Sequence, residues 1–185
     1  MNALWSYAWP IFVIGLSFGG VAGAIAYRKP RARPKDDQAA IEPALRRWRR
    51  RRVPALAAGC AISIAAALLW HGPLGAADRF TTHVERIARQ VLVDYEAPAG
   101  TTVRIHHGPL TRQLILSGPG NDFQRGEAAR LLSQIPGVSN AVWAPGGGIP
   151  LIVEGAAVAV LGFLSGLLLA YLVELRRRYN AQWNW

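Results

Sequence analysis

Three long apolar blocks, separated by polar segments, dominate the hydrophobic pattern along this chain of 185 residues. A helix of about 23 residues, rising about 1.5 Å per residue, crosses a hydrocarbon core of about 30 Å. Each block reaches that length, so the pattern predicts three transmembrane helices, at residues 1–27, 53–76 and 151–175. The second is the least regular, because it is rich in alanine and has Gly72 and Pro73 near its end.

Residues 77–150, between the second and third blocks, show the short periodic patterns of a small soluble domain. Apolar positions spaced three and four residues apart predict an amphipathic helix over residues 81–95. Alternating apolar positions then predict two β-strands, at 101–107 and 110–117. A proline in the short segment between them favours a turn, so the two strands are expected to pair.

The rest of this domain is predicted to be a second helix and a short third strand. Asn121 with Gln124 resembles a helix N-cap arrangement, and apolar positions from Phe123 to Ile135 predict the helix that follows. A strand at 138–143 completes the order α-β-β-α-β, with both helices expected on one face of a three-stranded sheet. The predicted fold class is a membrane α-helical protein with three transmembrane helices and a small extracytoplasmic α+β domain.

Several short motifs of this domain resemble the BON domain, a small module of bacterial periplasmic and membrane-associated proteins. The motifs are, in order, Thr102–Ile105, Leu114–Gly118, Phe123–Leu132, Ile135–Val138 and Ala141–Val142. They follow the family's succession of a strand, a strand that ends in glycine, a helix, and a Pro-Gly-Val turn into a final strand.

The BON-like segment extends over about residues 81–143, inserted between the second and third predicted transmembrane helices. The resemblance implies an attachment or scaffold module that binds phospholipid or cell-envelope surfaces. It also implies that the module performs no catalysis.

The formal net charge of +10 raises the question of nucleic-acid binding, so the location of the charges matters. Residues 28–52 hold eleven lysines and arginines against three acids, whereas residues 77–150 hold seven arginines against six acids. A DNA-binding protein needs a basic face on a folded module. The folded segment of this chain is close to neutral, so we expect no nucleic-acid partner.

The distribution of basic residues also predicts the orientation of the chain, because lysine and arginine in short loops prefer the cytoplasm. The segment 28–52 and the arginines at 176–178 fall on the same side of a three-helix protein. We therefore predict a bacterial inner-membrane protein with its N-terminus outside and residues 28–52 as an Arg-rich cytoplasmic loop. Residues 77–150 are then periplasmic, and the tail at 176–185 is cytoplasmic.

The densest part of the basic loop surrounds a tryptophan. Its members are Arg46, Arg47, Trp48, Arg49, Arg50, Arg51 and Arg52. Arginines near a membrane surface attract anionic phospholipids, and tryptophan anchors at the level of the headgroups. We expect this cluster to contact lipid headgroups, with the cytoplasmic face of a partner protein as the alternative.

Small residues four apart mark the faces on which the membrane helices are expected to pack. The first helix carries Gly15, Gly19 and Gly23, and the third carries Gly162 and Gly166. Such rows allow another helix backbone to approach closely. The two motifs could pack against each other within the chain, but the longer row of the first helix favours contact with another subunit.

His71 is the one histidine within a predicted transmembrane helix. It stands four residues after Ala67 and directly after Trp70, which resembles the Ala-xxx-His element by which bacterial light-harvesting polypeptides hold bacteriochlorophyll. Gly72 and Pro73 interrupt the helix immediately after it, and no second histidine is placed for a haem pair. We therefore interpret His71 as an interfacial residue and predict no cofactor, with bacteriochlorophyll or haem ligation as the alternative.

The remaining polar residues match no catalytic motif, so the chain is not expected to be an enzyme. Neither are the adjacent His106 and His107 expected to bind one metal ion, because neighbouring side chains on a strand point to opposite faces. The predicted function is an accessory or structural subunit of a larger inner-membrane complex, respiratory or photosynthetic. The alternatives are an autonomous envelope protein with a lipid-binding or wall-binding BON-like domain, and a pigment-carrying or haem-carrying subunit.

Overall fold

The computed structural model describes residues 3–29, 38–144 and 146–183. Within these ranges the elements are α1 (Ala3–Tyr27), α2 (Gln38–His71), α3 (Ala76–Asp94), β1 (Thr102–His107), β2 (Leu110–Ser117), α4 (Asp122–Ser133), β3 (Asn140–Val142) and α5 (Leu151–Trp183). Among the described residues, three helices are long and apolar enough to cross a membrane. They cover Ala3–Tyr27, Ile41–His71 and Leu151–Ala181.

The boundaries of α2 correct the predicted basic loop at 28–52. The helix begins at Gln38, so the whole cluster Arg46–Arg52 is helical rather than part of a loop. The residues from 38 to 58 are rich in alanine and arginine and contain no glycine, which favours helix, and the helix continues through Pro43 and Pro54. Positions 30–37 of the predicted loop lie outside the described residues.

The helix ends differ from the predicted ones as well. α2 stops at His71 rather than at residue 76, because Gly72 and Pro73 follow and a residue before proline avoids helical geometry. α5 continues to Trp183, through most of the predicted tail at 176–185, whose last two residues lie outside the described part.

By its internal contacts the chain divides into two compact units. The first comprises Met1–Trp9 with Leu68–Gly155, and the second comprises Pro10–Ala67 with Ala156–Trp185.

The first unit contains the predicted order α-β-β-α-β. Its sheet has the strand order β1-β2-β3, with β2 antiparallel to β1 and parallel to β3. α3 and α4 pack against this sheet and contact each other. Alternate strand residues and apolar helix residues form the core, which includes Val84, Ala88, Leu92, Val103, Ile105, Leu114, Leu116, Ala128 and Leu132.

Local signals account for both ends of α4. The side chain of Asn121 accepts a hydrogen bond from the Gln124 backbone at 2.8 Å, and the Gln124 side chain accepts one from the Asn121 backbone at 3.1 Å. This is the reciprocal cap that the sequence indicates. After the helix, Gly137 adopts a φ of +104°, which favours glycine, and the chain turns towards β3. Phe123, predicted as part of the apolar face, is instead 78% exposed.

The second unit consists of the longer parts of α1, α2 and α5. α1 and α5 pack side by side: Gly15 lies against Ala159, Gly19 against Phe163 and Gly23 against Leu167. The sequence separation of each pair is 144 residues, so the two helices run parallel. α2 contacts the same pair through Gly59, which approaches Ala22 and Phe163.

Candidate functional site

In the first unit, the side chain of Tyr7 joins the ends of three helices. Tyr7 is 3% exposed, and its hydroxyl lies 2.8 Å from Nδ1 of His71 at the end of α2. The same hydroxyl donates to the carbonyl oxygen of Leu151, the first residue of α5, at 3.3 Å. In addition, Nε1 of Trp70 donates to the backbone carbonyl of Tyr7 at 3.1 Å. These bonds fasten the start of α1 to α2 and to α5.

This arrangement defines the chemical surroundings of His71. A hydroxyl has a single proton, so when Tyr7 donates to Leu151 it accepts a bond from the Nδ1–H of His71. A metal or pigment could then be ligated by His71 only through Nε2. The Tyr7 and His71 rings also meet edge to face, with centroids 6.0 Å apart.

An ion pair ties the sheet of the first unit to the start of α5. Nε of Arg112, on β2, lies 2.7 Å from a carboxylate oxygen of Glu154, and both side chains are about one-quarter exposed. Thr111 forms an additional bridge to Pro150, directly before the helix. The turn between α2 and α3 is short, with backbone bonds from Leu74 to Leu69 and from Gly75 to Gly72. Within the first unit, the sheet is therefore linked to the first turn of α5, and a short turn joins α2 to α3.

The three histidines outside the long helices have separate partners. His83 contacts Arg86, His106 contacts the carbonyl oxygen of Pro109, and His107 lies 3.9 Å from the carboxylate of Glu85. Among the described residues there is no group of three or more side chains that could hold a metal ion.

Near the start of α4 the small domain exposes Phe123, and two residues along the helix Arg125 contacts Trp143; we call these three residues the α4 patch. The guanidinium of Arg125 lies 5.2 Å from the centroid of the Trp143 ring. Nε1 of Trp143 donates to the carbonyl oxygen of Arg125 at 2.9 Å, which fixes the position of the indole. Tryptophan, arginine and exposed phenylalanine are the residue types enriched at protein interfaces.

Within the second unit, the predicted packing glycines face one another. A Cβ built on Gly15 would overlap Ala159, and one on Gly19 would overlap the carbonyl oxygen of Phe163. Similarly, Gly162 and Gly166 lie against the backbone of Phe12 and Leu16. The row of α1 is thus covered by α5 of the same chain. The expectation that this face docks on another subunit is corrected accordingly, because no room is left there.

The basic cluster of α2 has one ordered aromatic contact. The guanidinium of Arg52 lies 5.5 Å from the centroid of the Trp48 ring. Trp48 and Arg52 line a cavity of about 190 Å³ together with Tyr27, Tyr171 and other residues of α1 and α5. Nε1 of Trp48 is buried without a hydrogen-bond partner among the described residues. Arg46 is paired with Glu42 on the helix surface at 3.4 Å.

No protein-family model, no curated protein and no solved structure matches the chain. The resemblance to the BON domain therefore stays a prediction.

Proposed function

We propose that this chain is a non-catalytic accessory subunit of a larger bacterial inner-membrane assembly, with its small domain on the extracytoplasmic side. The observation that carries the proposal is the fastening around Tyr7, whose side chain and backbone bond to α2 and α5. The Arg112–Glu154 pair adds a link from the sheet to α5. A domain held in this way keeps a fixed orientation relative to the helix ends from which it emerges, which suits a scaffold.

The surface that would meet a partner on this side is the α4 patch. Phe123 is 78% exposed, although it is a large apolar side chain. An exposed aromatic side chain can stabilise a complex when a partner surface covers it and removes it from water. The partner in this proposal is another subunit of the assembly. The proposed assembly is a respiratory or photosynthetic energy-transducing complex.

The orientation in this proposal rests on the positive-inside rule. If the chain crosses the membrane three times, the arginines of the α2 cluster and those of α5 lie on the same side of it. That side is the cytoplasm, so the small domain lies in the periplasm. The Arg46–Arg52 cluster then meets anionic lipid or the cytoplasmic face of a partner.

The test is purification of the tagged chain from its own membranes in a mild detergent, followed by identification of the proteins that come with it. A defined set of membrane subunits, in constant ratio to the chain, is the expected result. Recovery of the chain alone, in an amount that matches its total in the membrane, would contradict the proposal and favour an autonomous envelope protein.

A pair of variants makes this test specific to the α4 patch. Phe123→Asp should lower the recovery of the partners at least fivefold, because it places a charge where a partner surface excludes water. Val93→Asp is the matched control, since Val93 is 69% exposed but lies on α3. Equal recovery with both variants would show that the partners dock elsewhere.

A further inference from the structure

A groove of about 410 Å³ lies between α1 and α5 in the second unit. Its walls include Leu16, Gly20 and Ala24 from α1, and Ala170 and Val173 from α5. A Cβ built on Gly20 meets nothing within 4 Å, so the missing side chain at this position opens the groove. The volume lies in the range of about 300–1,000 Å³ that is typical of small-molecule sites.

The length of the groove matches one leaflet of a bilayer. From Leu16 to Arg28 the chain rises about 18 Å, at about 1.5 Å per residue. Half of a hydrocarbon core is about 15 Å thick. The groove therefore extends from the middle of a span to its basic end, which is the path of a single lipid acyl chain.

The mouth of the groove is positively charged. Arg28 and Arg177 line it, one from each side, together with Glu174. The carboxylate of Glu174 is already bound by Nε of Arg178 at 3.0 Å and lies 3.9 Å from Arg177. The mouth therefore has two guanidinium groups, those of Arg28 and Arg177, and a carboxylate that Arg178 already binds, so its excess positive charge is complementary to a phosphate.

We propose that this groove binds an anionic phospholipid, with one acyl chain along Gly20 and Ala170 and the phosphate between Arg28 and Arg177. Basic sites between membrane helices favour anionic headgroups, because each arginine near the surface attracts them. The site is separate from the Arg46–Arg52 cluster on α2, and it requires none of the protein partners proposed above. A failure of either proposal therefore leaves the other standing.

The test uses the full chain in mild detergent with equal amounts of dioleoyl phosphatidylglycerol and dioleoyl phosphatidylcholine, and native mass spectrometry counts the retained lipids. Wild type should retain phosphatidylglycerol in preference. The double variant Arg28→Gln, Arg177→Gln should weaken that binding roughly fivefold for each arginine removed. The double variant Arg86→Gln, Arg104→Gln is the charge-matched control, since both arginines are exposed on the small domain, and it should leave the preference unchanged.

A second variant tests the acyl-chain part of the site. Gly20→Leu places a side chain in the groove, at a position where a Cβ meets nothing within 4 Å, and it should lower retention of both lipids while the melting temperature stays at the wild-type value. Unchanged retention in this variant would overturn the proposal. An equal loss with the control Arg86→Gln, Arg104→Gln and with Arg28→Gln, Arg177→Gln would also overturn it, as would displacement of the lipid by excess glycerol phosphate.

Discussion

Gly19 of α1 lies directly against the carbonyl oxygen of Phe163 of α5, so no side chain fits between these two backbones. In membranes, helices associate through such close contacts, because lipid tails provide no hydrophobic driving force between them. The glycine row therefore stabilises the chain itself. A substitution in the row acts first on the helix pair and only afterwards on any larger assembly.

We predict that Gly19→Leu destabilises the chain by about 1–3 kcal/mol, the usual cost of overpacking a filled interface. The neighbouring Gly20→Leu is the matched control, since open space lies in front of Gly20. The melting temperature in detergent, followed by tryptophan fluorescence, measures both variants. Equal melting temperatures for the two variants would contradict the packing described for α1 and α5.

A second prediction concerns His71. Replacement by glutamine keeps a side chain that can bond to the Tyr7 hydroxyl, so His71→Gln should preserve the fold and any visible absorption. Tyr7→Phe removes both hydrogen bonds of that hydroxyl and should lower the free energy of unfolding by about 1–3 kcal/mol. Absorption spectra and melting temperatures of the purified variants check both statements. A visible band that disappears with His71→Gln would promote the pigment-binding or haem-binding alternative.

The Arg112–Glu154 pair provides a third prediction. Either Arg112→Gln or Glu154→Gln should lower the free energy of unfolding by about 1–2 kcal/mol. This lies between the values of exposed and buried ion pairs, because each change leaves a partly buried charge without its partner. The double variant should cost less than the sum of the two single changes. Additive losses in denaturant unfolding would mean that the two side chains do not act as a pair.

A fourth prediction uses the pH dependence of Glu127 on α4. The hydrogen bond from Arg130 holds the pKa of the Glu127 carboxyl below its ordinary value of 4.5. A lowered folded-state pKa means that the stabilising contribution is present at neutral pH and is lost only as the pH falls below 4.5. Arg130→Gln should raise this pKa towards the ordinary value, which an NMR titration of the carboxyl carbon measures. An unchanged titration would show that Arg130 does not bind the carboxylate in solution.

The fifth prediction tests the orientation. In a Cys60→Ser background, a cysteine at Gly126, where open space surrounds the backbone, should be labelled from the periplasm by an impermeant reagent. A cysteine at the exposed Arg49 of α2 should be labelled only after the membrane is opened. The reverse pattern would contradict the orientation derived from the basic residues.

Much of the fold could be predicted from short-range signals in the sequence. The capping pair Asn121 and Gln124 fixes the start of α4, and the apolar spacing of 81–95 predicts α3. These predictions are correct because each feature depends on residues that are close to one another in the sequence. The same holds for the stop of α2 after His71, although the sequence-based boundary was placed five residues too late.

The long-range features could not be predicted in this way. Tyr7 was not among the predicted site residues, because its bonds to His71 and Leu151 span 64 and 144 residues. The choice between internal packing and a second subunit for the glycine rows also needed the register of α1 against α5. The exposure of Phe123 is a similar case, since its apolar character alone predicts burial.

The parallel packing of α1 on α5 has a consequence for biosynthesis. The glycine contacts of the pair join residues 144 to 150 positions apart, so α1 is synthesised long before its partner has been translated. At about 5–20 residues per second, the ribosome needs about 7–30 s to reach the matching turn of α5. During that interval the glycine face of the nascent α1 is open to lipid, to the insertion machinery and to other chains. Assembly of the helix pair is therefore a late event, completed only after the intervening domain has emerged.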